Sequence, residues 1–132
     1  MANNIFAGKR ALLAEDEVLI AMVVSEMLTD LGFAQVDTVR TVAAAMASAA
    51  GRPPPNIAIL DLHLTDGITL PIAELLGNRG IRSIFVTGDF GAFSAQGISR
   101  DFVLIKPFAP ADLQRVLRKA LENPLISTAS TE

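Results

Sequence analysis

The sequence has no cysteine, no tryptophan and no tyrosine, and its single histidine is His63. Without cysteine there is no disulfide framework and no thiol nucleophile, and one histidine leaves a zinc site little to use. Cationic residues are few: eleven Lys and Arg stand against fourteen Asp and Glu, a net charge of −3. No basic stripe or Arg-rich arm is present, which argues against nucleic-acid binding by electrostatics. Long apolar runs are missing too. The longest uninterrupted one, Val18–Val24, is far too short to span a membrane. Lys9 and Arg10 precede a short apolar run, but Glu15, Asp16 and Glu17 cut it off, so it does not read as a secretory signal. The expectation is a soluble, cytoplasmic protein with no membrane insertion.

What is present points to one domain. The chain has 132 residues, 51% hydrophobic and 19% charged, which excludes disorder and allows a core of ordinary size. Seven Phe are its only aromatics, so Ala, Leu, Ile and Val must build that core. Such a composition suits helices over a buried parallel sheet better than a small all-β barrel.

Short apolar runs alternate with longer helical segments. The runs are Arg10–Ala14, Phe33–Val39, Ile57–Leu60, Ser83–Val86 and Phe102–Ile105, mostly unalternated, as for strands covered on both faces. Residues 17–31 form a helix with Ile20, Val23, Val24, Met27, Leu28 and Leu31 as its apolar stripe and Gly32 as its stop. Thr41–Ala50 forms an Ala-rich helix, residues 69–76 a shorter one ending at Gly77, and a last helix runs from near Pro110 to Asn123-Pro124. Between residues 88 and 100 glycines sit among Ser and Ala, and a short or poorly ordered helix is expected there. The sum is an α/β fold: a doubly wound five-stranded parallel sheet of flavodoxin-like order 2-1-3-4-5 with helices on both faces. The domain is placed at 9–122, with 1–8 a loose lead-in and 123–132 a frayed tail.

In such a sheet, ligands bind at the carboxyl ends of the strands. Those ends carry Glu15 and Asp16, then Asp61, Thr87 and Lys106. Three ionised carboxylates together would force one to take up a proton. A divalent cation and Lys106 supply +3 and bring the group to zero. Hard oxygen ligands with room for water suit Mg²⁺. Asp61 can then act as a nucleophile toward phosphorus, with Thr87 and Lys106 each holding a phosphoryl oxygen.

At these residues the sequence resembles the receiver domain of two-component response regulators. The motifs are Leu13-Ala14-Glu15-Asp16-Glu17, Ile59-Leu60-Asp61-Leu62, Val86-Thr87-Gly88 and Ile105-Lys106-Pro107-Phe108, covering roughly residues 9–122. Each motif alone is weak; all in order at strand ends are specific. The resemblance makes Asp61 the phosphoacceptor. Asp16, Asp61 and the backbone carbonyl of His63 would be Mg²⁺ ligands, with Glu15 helping indirectly. Thr87 matches the switch hydroxyl, and Lys106 the family's lysine, usually followed by a cis peptide. His63 and Asp89 occupy positions that tune phosphoryl lifetime in the family. Val18 and Met22, with Leu19 at the stripe's edge, would form a docking patch for the phosphodonor, because the family's kinases dock on this helix.

The chain also departs from the family. Many receivers place Tyr or Phe three residues before the lysine, where this chain has Val103, so the aromatic toggle is absent and the switching change is expected in segment 88–100. The run Phe85-Val86-Thr87-Gly88 resembles a subgroup with a Phe-Ala-Thr-Gly strand motif. The implied function is a stand-alone, Mg²⁺-dependent receiver. It would be phosphorylated by a histidine kinase or phosphotransfer protein and would signal by contact with a downstream protein. It is a switch with intrinsic autophosphorylation and autodephosphorylation rather than a metabolic enzyme. Two alternatives are a phospho-independent receiver-like binding module and a dehalogenase-type phosphohydrolase. The latter wants an Asp where His63 stands.

Overall fold

Five strands stack into one parallel sheet because their apolar runs must be covered on both faces. In the computed structural model, which describes residues 4–89, 91 and 99–125, the chain order is β1 (Arg10–Ala14), α1 (Val18–Leu31), β2 (Gln35–Val39), α2 (Val42–Ala50), β3 (Ile57–Asp61), β4 (His63–Leu64), β5 (Gly67–Ile68), α3 (Leu70–Asn78), β6 (Ser83–Thr87), β7 (Val103–Ile105) and α4 (Pro110–Glu122). The sheet order is β2-β1-β3-β6-β7, all pairs parallel, which is the expected 2-1-3-4-5 for the five main strands. The expected helix within 88–100 and the tail fall largely outside the described residues.

Successive strand residues point to opposite faces, and two cores result. Leu13, Ile59, Ile84 and Leu104 pack with Val24 and Leu28 of α1 and Leu113, Val116 and Leu117 of α4. Leu12, Leu60 and Phe85 pack with Ala45 and Ala49 of α2 and Ile72 and Leu76 of α3. Small alanines on α2 suit a helix lying close on the sheet.

Several details differ from the sequence reading. A two-stranded antiparallel hairpin, β4–β5, stands between Asp61 and α3. Phe102 belongs to a 3-10 turn rather than the last strand, and β2 starts two residues later than the apolar run. The third helix passes through Gly77 to Asn78; the left-handed stop is Gly80 (φ +80°), where the chain turns so that Ile81 N–H reaches Leu76 O at 2.9 Å. Val23 does not belong to the buried stripe of α1; it is 52% exposed, while Ala21 takes a buried place.

The lead-in 1–8 is not loose over its described part. Phe6 is buried and stacks on Phe33 at 5.6 Å, and Asn4 Nδ2 donates to Leu31 O at 2.9 Å. Apolar burial of an aromatic outweighs the entropy of ordering a few residues. Gly32 closes α1 in the left-handed conformation, and a Cβ there would lie 2.6 Å from Asn4 Nδ2.

Candidate functional site

The sheet delivers the polar residues to one rim because its hydrogen bonding continues past the strands. Glu15 N–H donates to Val39 O, Leu62 N–H to Val86 O and Lys106 N–H to Thr87 O, at 2.8–3.0 Å. Asp61 pairs with Val86 and Thr87 with Ile105 in the register. Side chains far apart in sequence are thereby fixed on one edge.

Lys106 stands at the centre. Its Nζ lies 2.9 Å from Asp61 Oδ2, 3.0 Å from Glu15 Oε1 and 3.8 Å from Glu17 Oε2. Glu15 is buried, and its Oε2 accepts the Glu17 N–H at 3.0 Å. Burial pushes the Glu15 carboxyl up from the ordinary range, and Asp61 adds to this; the Glu17 N–H and Lys106 pull it back only in part. Burial also works against the Lys106 ammonium, but its bonds to Asp61 and Glu15 outweigh that and hold it above the ordinary lysine value. The peptide Lys106-Pro107 is cis.

One oxygen from each of Glu15, Asp16 and Asp61 lies within 4.8 Å of the others. Three hard carboxylate oxygens beside a single ammonium fit a small divalent cation. Asp61 Oδ1 faces the His63 N–H at 3.4 Å, and His63 itself is exposed at the rim. Thr87 is buried at the end of β6, but its hydroxyl is occupied locally: it accepts from Asp89 N–H at 3.1 Å and donates to Asp89 O at 3.2 Å.

The hairpin supplies residues that the sequence reading did not single out. Thr65 Oγ1 donates to Asp16 Oδ2 at 3.1 Å. Asp66 accepts the Val42 and Ala43 N–H groups at 2.7 and 3.2 Å, joining the hairpin to the start of α2. Thr69 is fully buried and donates to Asp61 O at 2.9 Å, fixing the backbone that carries the acid. The dipeptide Asp66-Gly67 is a turn signal and marks this hairpin in retrospect.

On α1, Val18, Leu19 and Met22 are 48%, 75% and 62% exposed. An open apolar groove of about 480 Å³ runs between α1 and the loop after β7, lined by Leu19, Val23, Met27, Pro107 and Phe108, with Lys106 at its edge.

No family model matches the chain. It is 30% identical over 113 residues to the phyllosphere-induced regulator PhyR of Methylorubrum extorquens, covering 83% of this chain and 42% of that protein. Among solved structures, a variant of the anti-anti-sigma factor PhyR from Bartonella quintana superposes with a TM-score of 0.76 at 26% identity, over 90% of this chain and 51% of that one. A response regulator receiver protein from Sinorhizobium medicae superposes with a TM-score of 0.79 at 21% identity, over 87% and 95%. The chain thus spans about half the length of the PhyR proteins and nearly all of the receiver protein. The sheet order agrees with these likenesses, and the chain has the fold of response-regulator receiver domains.

Proposed function

We propose that this receiver accepts a phosphoryl group on Asp61 from a histidine kinase or histidine phosphotransfer protein and signals by protein–protein contact. The observation that carries this reading is the Lys106 ammonium bridging Asp61 and the buried Glu15 at 2.9 and 3.0 Å. That contact holds the carboxylate in place and puts a positive charge where a phosphoryl oxygen arrives.

In the transfer, a carboxylate oxygen of Asp61 attacks phosphorus, the phosphorus–nitrogen bond of the donor's phosphohistidine breaks, and the imidazole nitrogen leaves with the bonding pair. Hydrolysis reverses the acceptor's part: water attacks phosphorus, inorganic phosphate departs and the carboxylate is restored. Asp16, Asp61 and the His63 carbonyl would hold Mg²⁺, with Glu15 acting indirectly; the ion supplies charge neutralisation for the incoming phosphoryl group. Lys106 keeps Asp61 oriented before transfer and is placed to hold a phosphoryl oxygen afterwards. Thr87 must give up its two bonds with Asp89 to turn its hydroxyl toward the phosphoryl group. Release of the Asp89 backbone is the local event that biases a two-state equilibrium of the domain. His63 and Asp89 flank the acceptor and tune access of water to it. Val18, Leu19 and Met22 receive the donor protein.

The test is Mg²⁺-dependent binding of beryllofluoride, followed by amide NMR shifts, with Asp61→Asn as control. The native domain should respond only with Mg²⁺ present and the variant should not. A native domain indifferent to beryllofluoride would instead fit a module that binds its partner without phosphorylation.

A further inference from the structure

Thr65 sits in the turn of the β4–β5 hairpin, 49 positions from Asp16 in the sequence, and its hydroxyl proton is committed to Asp16 Oδ2 at 3.1 Å. The turn that carries it is held at several points. Leu64 is buried in the core beneath α2 and α3. Asp66, the next residue, is clamped on the first two N–H groups of α2. Thr69, at the base of the hairpin, donates to both Asp61 O and Leu62 O. Gly67 takes φ +145°, a conformation open to glycine, and brings the second strand back close to Val42. An exposed threonine on a free loop would hold a carboxylate poorly; this one is mounted on a fixed support.

Asp16 has no other hydrogen bond of this kind among the described residues, while Glu15 is held by Lys106 and by the Glu17 N–H, and Asp61 by Lys106 and the His63 N–H. Each acid of the cluster therefore has its own orienting donor, and for Asp16 that donor is Thr65. A carboxylate has about four lone-pair sites, so one oxygen can accept a hydroxyl and the group still ligate a cation. Hydrogen-bond partners of metal ligands typically change metal affinity by about 10–100-fold when removed.

We infer that Thr65 is a positioning residue for the metal site: its hydroxyl fixes the carboxylate of Asp16 and thereby sets the divalent-cation affinity of the domain. This rests on the proposed Mg²⁺ site and adds a determinant outside the acid cluster itself. The Thr65 hydroxyl is bonded to Asp16, while Asp61 is held by Lys106 and the His63 N–H, so Thr65 acts through Asp16.

Mn²⁺ binding to the full chain, read by the paramagnetic signal of the free ion, tests it with Thr65→Val, Thr65→Ser and Asp16→Asn. Valine keeps the volume and removes the hydroxyl; serine keeps the hydroxyl. The expected result is a Kd for Thr65→Val about 10-fold weaker than native, native affinity for Thr65→Ser, and the same thermal midpoint for all three in EDTA. Phosphotransfer by Thr65→Val should be slow at limiting Mg²⁺ and return to the native rate at saturating Mg²⁺, which a distorted acceptor would not do. Native or tighter binding by Thr65→Val overturns the inference, as does a Thr65→Ser variant as weak as the valine. If the native domain itself binds no metal, the proposed metal site falls with it; if native binds and only Asp16→Asn weakens, the metal site stands and the role of Thr65 falls.

Discussion

Lys106 Nζ and Asp61 Oδ2 meet at 2.9 Å across 45 residues of chain, and the same ammonium reaches the buried Glu15 at 3.0 Å. The lysine thus pairs with two acids at once. Replacing it with methionine keeps the stem and removes the charge. Loss of one donor aimed at developing charge typically costs about 10²–10³-fold in rate. Lys106→Met should therefore accept phosphoryl from its donor at least about 10²-fold more slowly, measured by rapid quench with radiolabelled phosphodonor. A native rate in this variant would remove Lys106 from the chemistry.

Asp66 gives a pH dependence that is separate from the acid cluster. The Val42 N–H, with the Ala43 N–H, holds its carboxyl below the ordinary value of 3.8. A group with a depressed folded pKa contributes stability above its ordinary pKa and loses it as pH falls through the folded value. The native domain should therefore be more stable than Asp66→Asn at neutral pH. The gap should close as acid takes the solution below the ordinary carboxylate range. Urea denaturation over a pH series checks this; a gap that stays constant into acid would mean that charge on Asp66 does not support α2.

Phe6 tests the packed lead-in. It is 2% exposed and lies on Phe33, with the Arg118 guanidinium 5.4 Å from its ring centre. Truncating a buried phenylalanine typically costs about 3–5 kcal/mol. Phe6→Ala should lower the thermal midpoint by roughly 10–20 °C, read by circular dichroism. A shift of only a degree or two would show that the segment adds little to the core.

The strands and the rim were legible because their signals are local. Continuous apolar runs such as Ile57–Leu60 end in a single polar residue, and the parallel fold turns each ending into a place on one edge. Asp61, Thr87 and Lys106 follow from that rule. The hairpin was not legible, because two two-residue strands carry too little periodicity to register. Thr65 stayed hidden for the same reason: its partner is set by a tertiary turn. Val23 shows a different limit. It falls at helical spacing with Val24 and Met27, yet α1 turns it to the groove facing Phe108, since spacing defines a stripe only to within the width of one residue. Phe6 falls in the short lead-in before the first strand, and its burial is decided by a partner, Phe33, far along the chain.

The exposed face of α1 supplies the last test. Met22 is 62% exposed and lies on the helix surface beside Val18, away from Lys106 and Asp61. A charge placed there should leave the fold and the acceptor chemistry alone, since surface substitutions usually stay within about 0.5 kcal/mol. On the proposed reading a donor protein brings its phosphohistidine to the rim and covers apolar surface on the way, whereas a small phosphodonor such as acetyl phosphate need not. Desolvating a new carboxylate in such an interface costs roughly 1–3 kcal/mol, or about 5- to 150-fold in affinity. Met22→Glu should thus slow phosphorylation by the kinase or phosphotransfer protein by at least about 5-fold and leave the rate with acetyl phosphate unchanged. Equal losses with both donors would place the effect in the acceptor site and take Met22 out of the docking face.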